Sequence, residues 1–170
     1  MSKKIAKNFI IASLVFFLMA CLEGCMFPTK SLFNIWYSAI MHVPPAQLKA
    51  FMYEFFPRIH SHISLVGWVS SALMGMLYFI TPQIQGQEKF NKTLCYANFW
   101  MHIVGILVLC AGWHIVGSVG LSAGYTHGTS EFTKAVACYK PVIWTGSFAL
   151  LVSAALFLYN ILSCLCSKSK

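Results

Sequence analysis

Pro57-Arg58-Ile59-His60-Ser61-His62-Ile63-Ser64-Leu65-Val66-Gly67-Trp68 opens an apolar run that continues to Pro82. Residues 60–82 are enough to cross a bilayer as a helix, which needs ~20 residues. Two imidazoles stand at the head of that run. Ionisable side chains inside a membrane are costly and usually functional. The spacing also carries information. Positions i and i+2 on a helix lie ~200° apart, so His60 and His62 point to opposite sides. A chelate to one metal would favour i and i+4. Opposite-facing rings suit two separate sites flanking one helix.

Composition extends the membrane reading to the whole chain. Of 170 residues, 58% are hydrophobic and 9% charged, and the mean hydropathy is +0.70. A soluble domain is typically ~25% charged. Asp is absent, and the acids are Glu23, Glu54, Glu88 and Glu131. So little polar surface excludes a dispersed soluble fold. The net charge of +8 does not point to nucleic acid. The lysines gather at chain ends and between apolar runs, as flanking charges of spans do, and form no basic face.

Four runs reach spanning length: residues 9–27, 60–82, 96–121 and 142–164. They predict an all-α integral membrane protein, with about four transmembrane helices in an antiparallel bundle and a single membrane domain over residues 1–170. Basic residues set the orientation. One side holds Lys3, Lys4, Lys7, Lys89, Lys92, Lys168 and Lys170; the other holds Lys30, Lys49, Arg58, Lys134 and Lys140. The first side is expected to be cytoplasmic, with both termini on it, in a bacterial inner membrane.

The first run has a rival reading. Leu18-Met19-Ala20-Cys21 is similar to a lipoprotein cleavage box, so removal of residues 1–20 stays open. Apolar character continues to Phe27, which favours a retained helix. Glu23 then lies near its outer end, either reaching to the interface or serving as a proton-relay or partner residue. Residues 28–57 are too aromatic for a free loop. They predict interfacial helices between the first and second spans, divided at Pro44-Pro45. The seven cysteines form no CxxC, CxxCH or zinc set.

His60-Ser61-His62, Gly67-Trp68, Gly75 with Tyr78, and Pro82 together resemble the tenth transmembrane helix of the haem-copper oxidase catalytic subunit, subunit I. The closest branch is that of the C-type oxidases and nitric oxide reductases. Phe99-Trp100, Gly105-Ile106, Trp113 and Gly117 resemble the eleventh helix, and residues 142–162, ending Leu158-Tyr159-Asn160, the twelfth. The likeness covers residues 58–162, roughly two-thirds of the chain. It implies haem b, one or two, with His60 as ligand of a high-spin iron and His62 of a low-spin iron. It implies membrane lipid, other oxidase subunits or a second copy, and a quinone or cytochrome electron donor as partners.

The departures are as informative. The family's subunit has about twelve helices. Its copper-ligand histidines, including an adjacent His-His pair, have no counterpart here. No copper is expected, and dioxygen reduction by this chain alone is not expected. A six-coordinate haem needs two axial ligands from facing helices. Counted from the predicted helix ends, His114 lies at the depth of His62, which makes it the candidate opposite ligand for His62 or His60. His102 sits ~18 Å deeper by helix rise and reads as a helix-contact residue. His42 and His127 read as solvated. Arg58 suits a haem propionate, or anchors the chain at the interface. His60, His62 and His114 also have plainer readings as hydrogen-bonded interfacial or helix-contact histidines. The preferred function is haem binding and one-electron transfer. The alternatives are a non-redox accessory or assembly protein of a terminal oxidase, and a gas- or quinone-reactive high-spin haem protein.

Overall fold

The computed structural model describes residues 2–167; Lys168 and Lys170, used in the orientation count, lie outside them. Among the described residues every regular element is helical. In hydrocarbon each backbone N–H and C=O must be bonded within its own segment, and helices do this for apolar runs. Four helical stretches are long and apolar enough to cross a membrane: Ser2–Met26, Pro45–Gln85, Lys92–Ser122 and Lys140–Leu165.

The first is α1 (Ser2–Met26). Short helix α2 (Lys30–Ile35) and a π-helical turn (Trp36–Ile40) follow it. The second stretch is composite. A 3-10 turn (Pro45–Gln47) leads into α3 (Leu48–Glu54) and α4 (Phe56–Ser61), then a nine-residue π-helical segment (His62–Ser70), then α5 (Ser71–Gln85). Helix α6 (Lys92–Ser122), short α7 (Ser130–Ala135) and α8 (Lys140–Leu165) complete the chain. Short helical elements thus do occupy the segment between the first two spans. The second stretch, however, is helical from Pro45, so His60 and His62 lie well inside it.

Local chemistry sets the boundaries. Asn91 caps α6 by accepting from the Leu94 amide at 3.1 Å, which satisfies one otherwise unpaired N–H. Gly86 ends α5 in the left-handed region, φ 65°, where a side chain is disfavoured.

Packing follows small residues. Helix α1 lies along the π-helical segment and α5, and α6 lies along α8. Gly67 faces Phe16, and Gly75 faces the Ala6 carbonyl and Phe9 of α1. The buried Ser71 stands between them. This small-residue row is therefore a helix–helix seam. At Gly146 of α8 an added Cβ would fall 2.5 Å from the Leu109 amide nitrogen of α6.

A polar core lies toward the Lys3 end. Tyr78 donates its hydroxyl to Oδ1 of Asn98 at 3.1 Å. Asn98 donates Nδ2 to the carbonyl and the hydroxyl of Ser153, at 2.9 and 2.8 Å. These bonds tie α5, α6 and α8 together where no water competes.

Candidate functional site at the histidine end of the bundle

The second and third stretches run antiparallel, and three contacts fix their register. Phe55 lies against Gly117. The Arg58 guanidinium carbon sits 5.0 Å from the Trp113 ring centre. His102 Nε2 meets the Val66 carbonyl at 3.1 Å. Arg58, His62 and Val66 follow one another at four-residue steps, so one helix face turns toward α6. Interpolated, His114 lies opposite residue 57 and His62 roughly opposite 107. His114 is therefore displaced from His62 by roughly 7 to 10 Å along the bundle, five residues counted on the second stretch and seven on α6, at ~1.5 Å per residue. The equal depth expected from the sequence is not met. Helix ends inferred from hydropathy placed the head of the second span at residue 60, whereas the helical path begins at Pro45.

Each candidate histidine has its own surroundings. His60 faces α1: its Nδ1 is 3.5 Å from Glu23 Oε2, and its Cε1 would lie 3.6 Å from a Cβ at Gly24. The rings of Phe27 and Phe56 flank it at 5.5 and 6.3 Å. His62 Nδ1 is 2.6 Å from the Arg58 carbonyl oxygen one turn earlier. A carbonyl only accepts, so Nδ1 carries the proton and Nε2 is the basic nitrogen. His114 stacks on Tyr37 at 5.8 Å and on Phe51 at 6.2 Å. Burial, then the Glu23 charge, pushes the Tyr37 hydroxyl well above the usual tyrosine range.

The remaining histidines divide. His102 is buried at 2% exposure and bonds Val66, as a helix-contact residue does. The π-helical segment draws side chains onto its carbonyls: His102 on Val66, and the Ser70 hydroxyl on Leu65 at 2.9 Å. His127 is not simply solvated. Its Nδ1 is 2.7 Å from Glu54 Oε2, a close approach outside hydrogen-bond geometry, and its ring packs on Phe55 and Phe132. His42 is exposed, and its carbonyl accepts from Ser122 at 3.1 Å.

Buried polar atoms without a hydrogen bond concentrate here. Among the described residues eight such side-chain atoms occur, and all but Ser71 Oγ lie at this end. Glu23 and His60 lie beside one another, and Glu54 lies beside His127. Arg58 Nη1, Trp113 Nε1, His114 Nδ1 and Ser118 Oγ do not pair with protein. Each such group calls for a partner that the protein atoms around it do not supply. No group of three or more His, Cys, Asp or Glu able to hold a metal ion occurs among the described residues.

Sequence reading missed the Arg58–Trp113 contact and the Glu54–His127 pair. The available signal was an acid and a tryptophan at the margin of apolar runs.

No family model matches the chain, and no solved structure matches it. It is similar to the cbb3-type cytochrome c oxidase subunit CcoN1 of Stutzerimonas stutzeri, 26% identical over 111 residues, 65% of this chain and 20% of that protein. It is similar to cytochrome c oxidase subunit 1 of Thermus thermophilus, 25% identical over 117 residues, 65% of this chain and 20% of that protein. Over 59 residues it is 30% identical to cytochrome c oxidase subunit 1 of Rhodobacter capsulatus, 34% of this chain and 11% of that protein. The chain spans about a fifth or less of the length of these curated relatives. It is a multi-pass membrane protein with distant, partial similarity to cytochrome c oxidase subunit I.

Proposed function

We propose that this chain is a short oxidase subunit I-like membrane protein that binds b-type haem and passes single electrons, alone or within a respiratory complex. The observation that carries the reading is the His62–Arg58 contact. A haem-iron ligand commonly donates its second ring N–H to a carbonyl, which fixes the tautomer and raises the basicity of the ligating nitrogen. His62 has that arrangement. Arg58, on the same face, keeps a buried Nη1 without a protein partner, and a guanidinium grips a propionate carboxylate well. The residues on this face therefore suit a haem. Haem b supplies a one-electron iron couple when bound.

His60 and His114 are the other proposed ligands. Each ring would first have to leave its aromatic packing, Phe27 and Phe56 for His60, Tyr37 and Phe51 for His114. With the offset of roughly 7 to 10 Å at ~1.5 Å per residue, this favours an opposite ligand for His62 from a second chain or another oxidase subunit. The chain is proposed to lie in a bacterial cytoplasmic membrane with both termini in the cytoplasm. An electron donor of quinone or cytochrome type fits the same reading, and copper has no ligand set in it.

The test is the visible spectrum of protein produced with ample haem. A low-spin reduced α band supports electron transfer; a CO-sensitive high-spin spectrum supports a gas-reactive haem protein. A non-redox accessory role is the second reading. It is favoured by the described cavities of about 280 to 570 Å³, whose linings include none of His60, His62 and His114. Absence of any Soret band would leave that role standing and remove both haem readings.

A further inference from the structure

At the opposite end of the bundle, an open groove of about 570 Å³ runs between α1 and α5. Its walls are the exposed apolar side chains of Ile10, Leu73, Met76 and Phe79. Ala6 and Gly75 form the floor, where the helices cross so closely that a Cβ at Gly75 would lie 3.1 Å from the Ala6 carbonyl oxygen. Lys3 and Lys7 stand one turn apart on α1 and line the groove at its terminal end. No acidic residue lines it.

We infer that this groove is a binding site for one anionic phospholipid, with the headgroup phosphate between Lys3 and Lys7 and an acyl chain between α1 and α5. The dimensions agree. From Lys3 to Ile11 the helix rises ~12 Å, most of the ~15 Å that one leaflet contributes to a hydrocarbon core. Chemistry selects the occupant. The walls match an acyl chain, and basic residues at a span end attract anionic headgroups.

A second copy of the chain is less suited to cover the groove. The chain's acids are Glu23, Glu54, Glu88 and Glu131. Glu23 and Glu54 face His60 and His127 at the other end, and Glu131 opens α7 at that same end. Glu88 accepts from the Ser2 amide at 2.7 Å and from its hydroxyl at 3.0 Å. None is left at this level to answer two lysines across an interface.

The test is native mass spectrometry of the detergent-purified full chain, titrated with phosphatidylglycerol and with phosphatidylcholine of identical acyl chains. The expected result is one tightly held phosphatidylglycerol per chain, bound roughly tenfold or more tightly than phosphatidylcholine. Lys3→Gln/Lys7→Gln should erase that preference, while Lys30→Gln/Lys134→Gln, with the same loss of charge, keeps it. All four lysines are exposed, so folding should survive. Equal affinity for the two lipids would overturn the inference. So would an equal loss in both double variants, or a dimer that sheds the lipid.

Discussion

The Nδ1 of His62 lies 2.6 Å from the carbonyl oxygen of Arg58, one turn earlier on the same helix. This contact orients the ring and leaves Nε2 as its basic nitrogen. It also links the two residues that the haem proposal uses. Arg58 itself sits over Trp113, so the pair is held against α6.

His102, on α6, is a structural counterpart to His62 and meets the same interface at Val66, four residues beyond His62. It is buried and bonds the Val66 carbonyl. His102→Leu should lower stability in detergent by about 1–3 kcal/mol, because a buried carbonyl loses its donor. Any haem spectrum should stay unchanged. Thermal unfolding and visible absorption, read on the same samples, check both halves.

Asn98 carries more interhelical bonds than any single histidine here. Asn98→Leu removes the acceptor of the Tyr78 hydroxyl and the donor to the Ser153 carbonyl and hydroxyl, leaving only the Ser153 hydroxyl bonded to the backbone carbonyl of residue 98. The expected cost is about 1–3 kcal/mol. Ser153→Ala removes one side-chain partner and should cost less. Denaturant titration in mixed micelles should rank the two variants in that order.

Gly146 sets the distance between α6 and α8. A leucine there meets α6 backbone rather than a flexible side chain. Overpacking of this kind costs about 1–3 kcal/mol or more. Gly146→Leu should lower the unfolding temperature, while Gly124→Ala in the exposed loop should change it less. The comparison is informative because Gly124 has nothing within 4 Å of an added Cβ, its own cost coming from φ 78°.

The turn between α5 and α6 should respond to acid. Burial alone would raise the Glu88 carboxyl, but hydrogen bonds from the Ser2 amide and hydroxyl outweigh it and hold the group below its ordinary value of 4.5. A carboxyl lowered by folding stabilises the folded contact above its unfolded value, and the benefit fades as pH falls through the folded value. Protection of the Ser2 amide against hydrogen exchange should therefore decline below about pH 4.5. In Glu88→Gln that pH dependence should vanish.

How much of this was legible in the sequence follows from what hydropathy encodes. Apolar runs reveal four spans and an aromatic interfacial segment, because lipid selects for those directly. They do not encode the register between antiparallel helices. The Asn98–Ser153 and Glu54–His127 pairs join residues far apart in sequence, and no periodicity links them. The π-helical segment from His62 to Ser70 escaped for a related reason. Its side chains look helical in pattern, while the partner of its Val66 carbonyl, His102, stands on α6. His114 was assigned to the depth of His62 by counting from span ends, and the helical path from Pro45 shifts that count.

The most direct measurement is the reduced-minus-oxidised visible spectrum of haem-supplied protein, taken on the native chain, His62→Ala and His102→Leu in parallel. The account predicts a low-spin α band in the native chain and in His102→Leu, and its loss in His62→Ala with the protein still folded by circular dichroism. An unchanged band in His62→Ala, or no Soret absorption in the native chain, would contradict it.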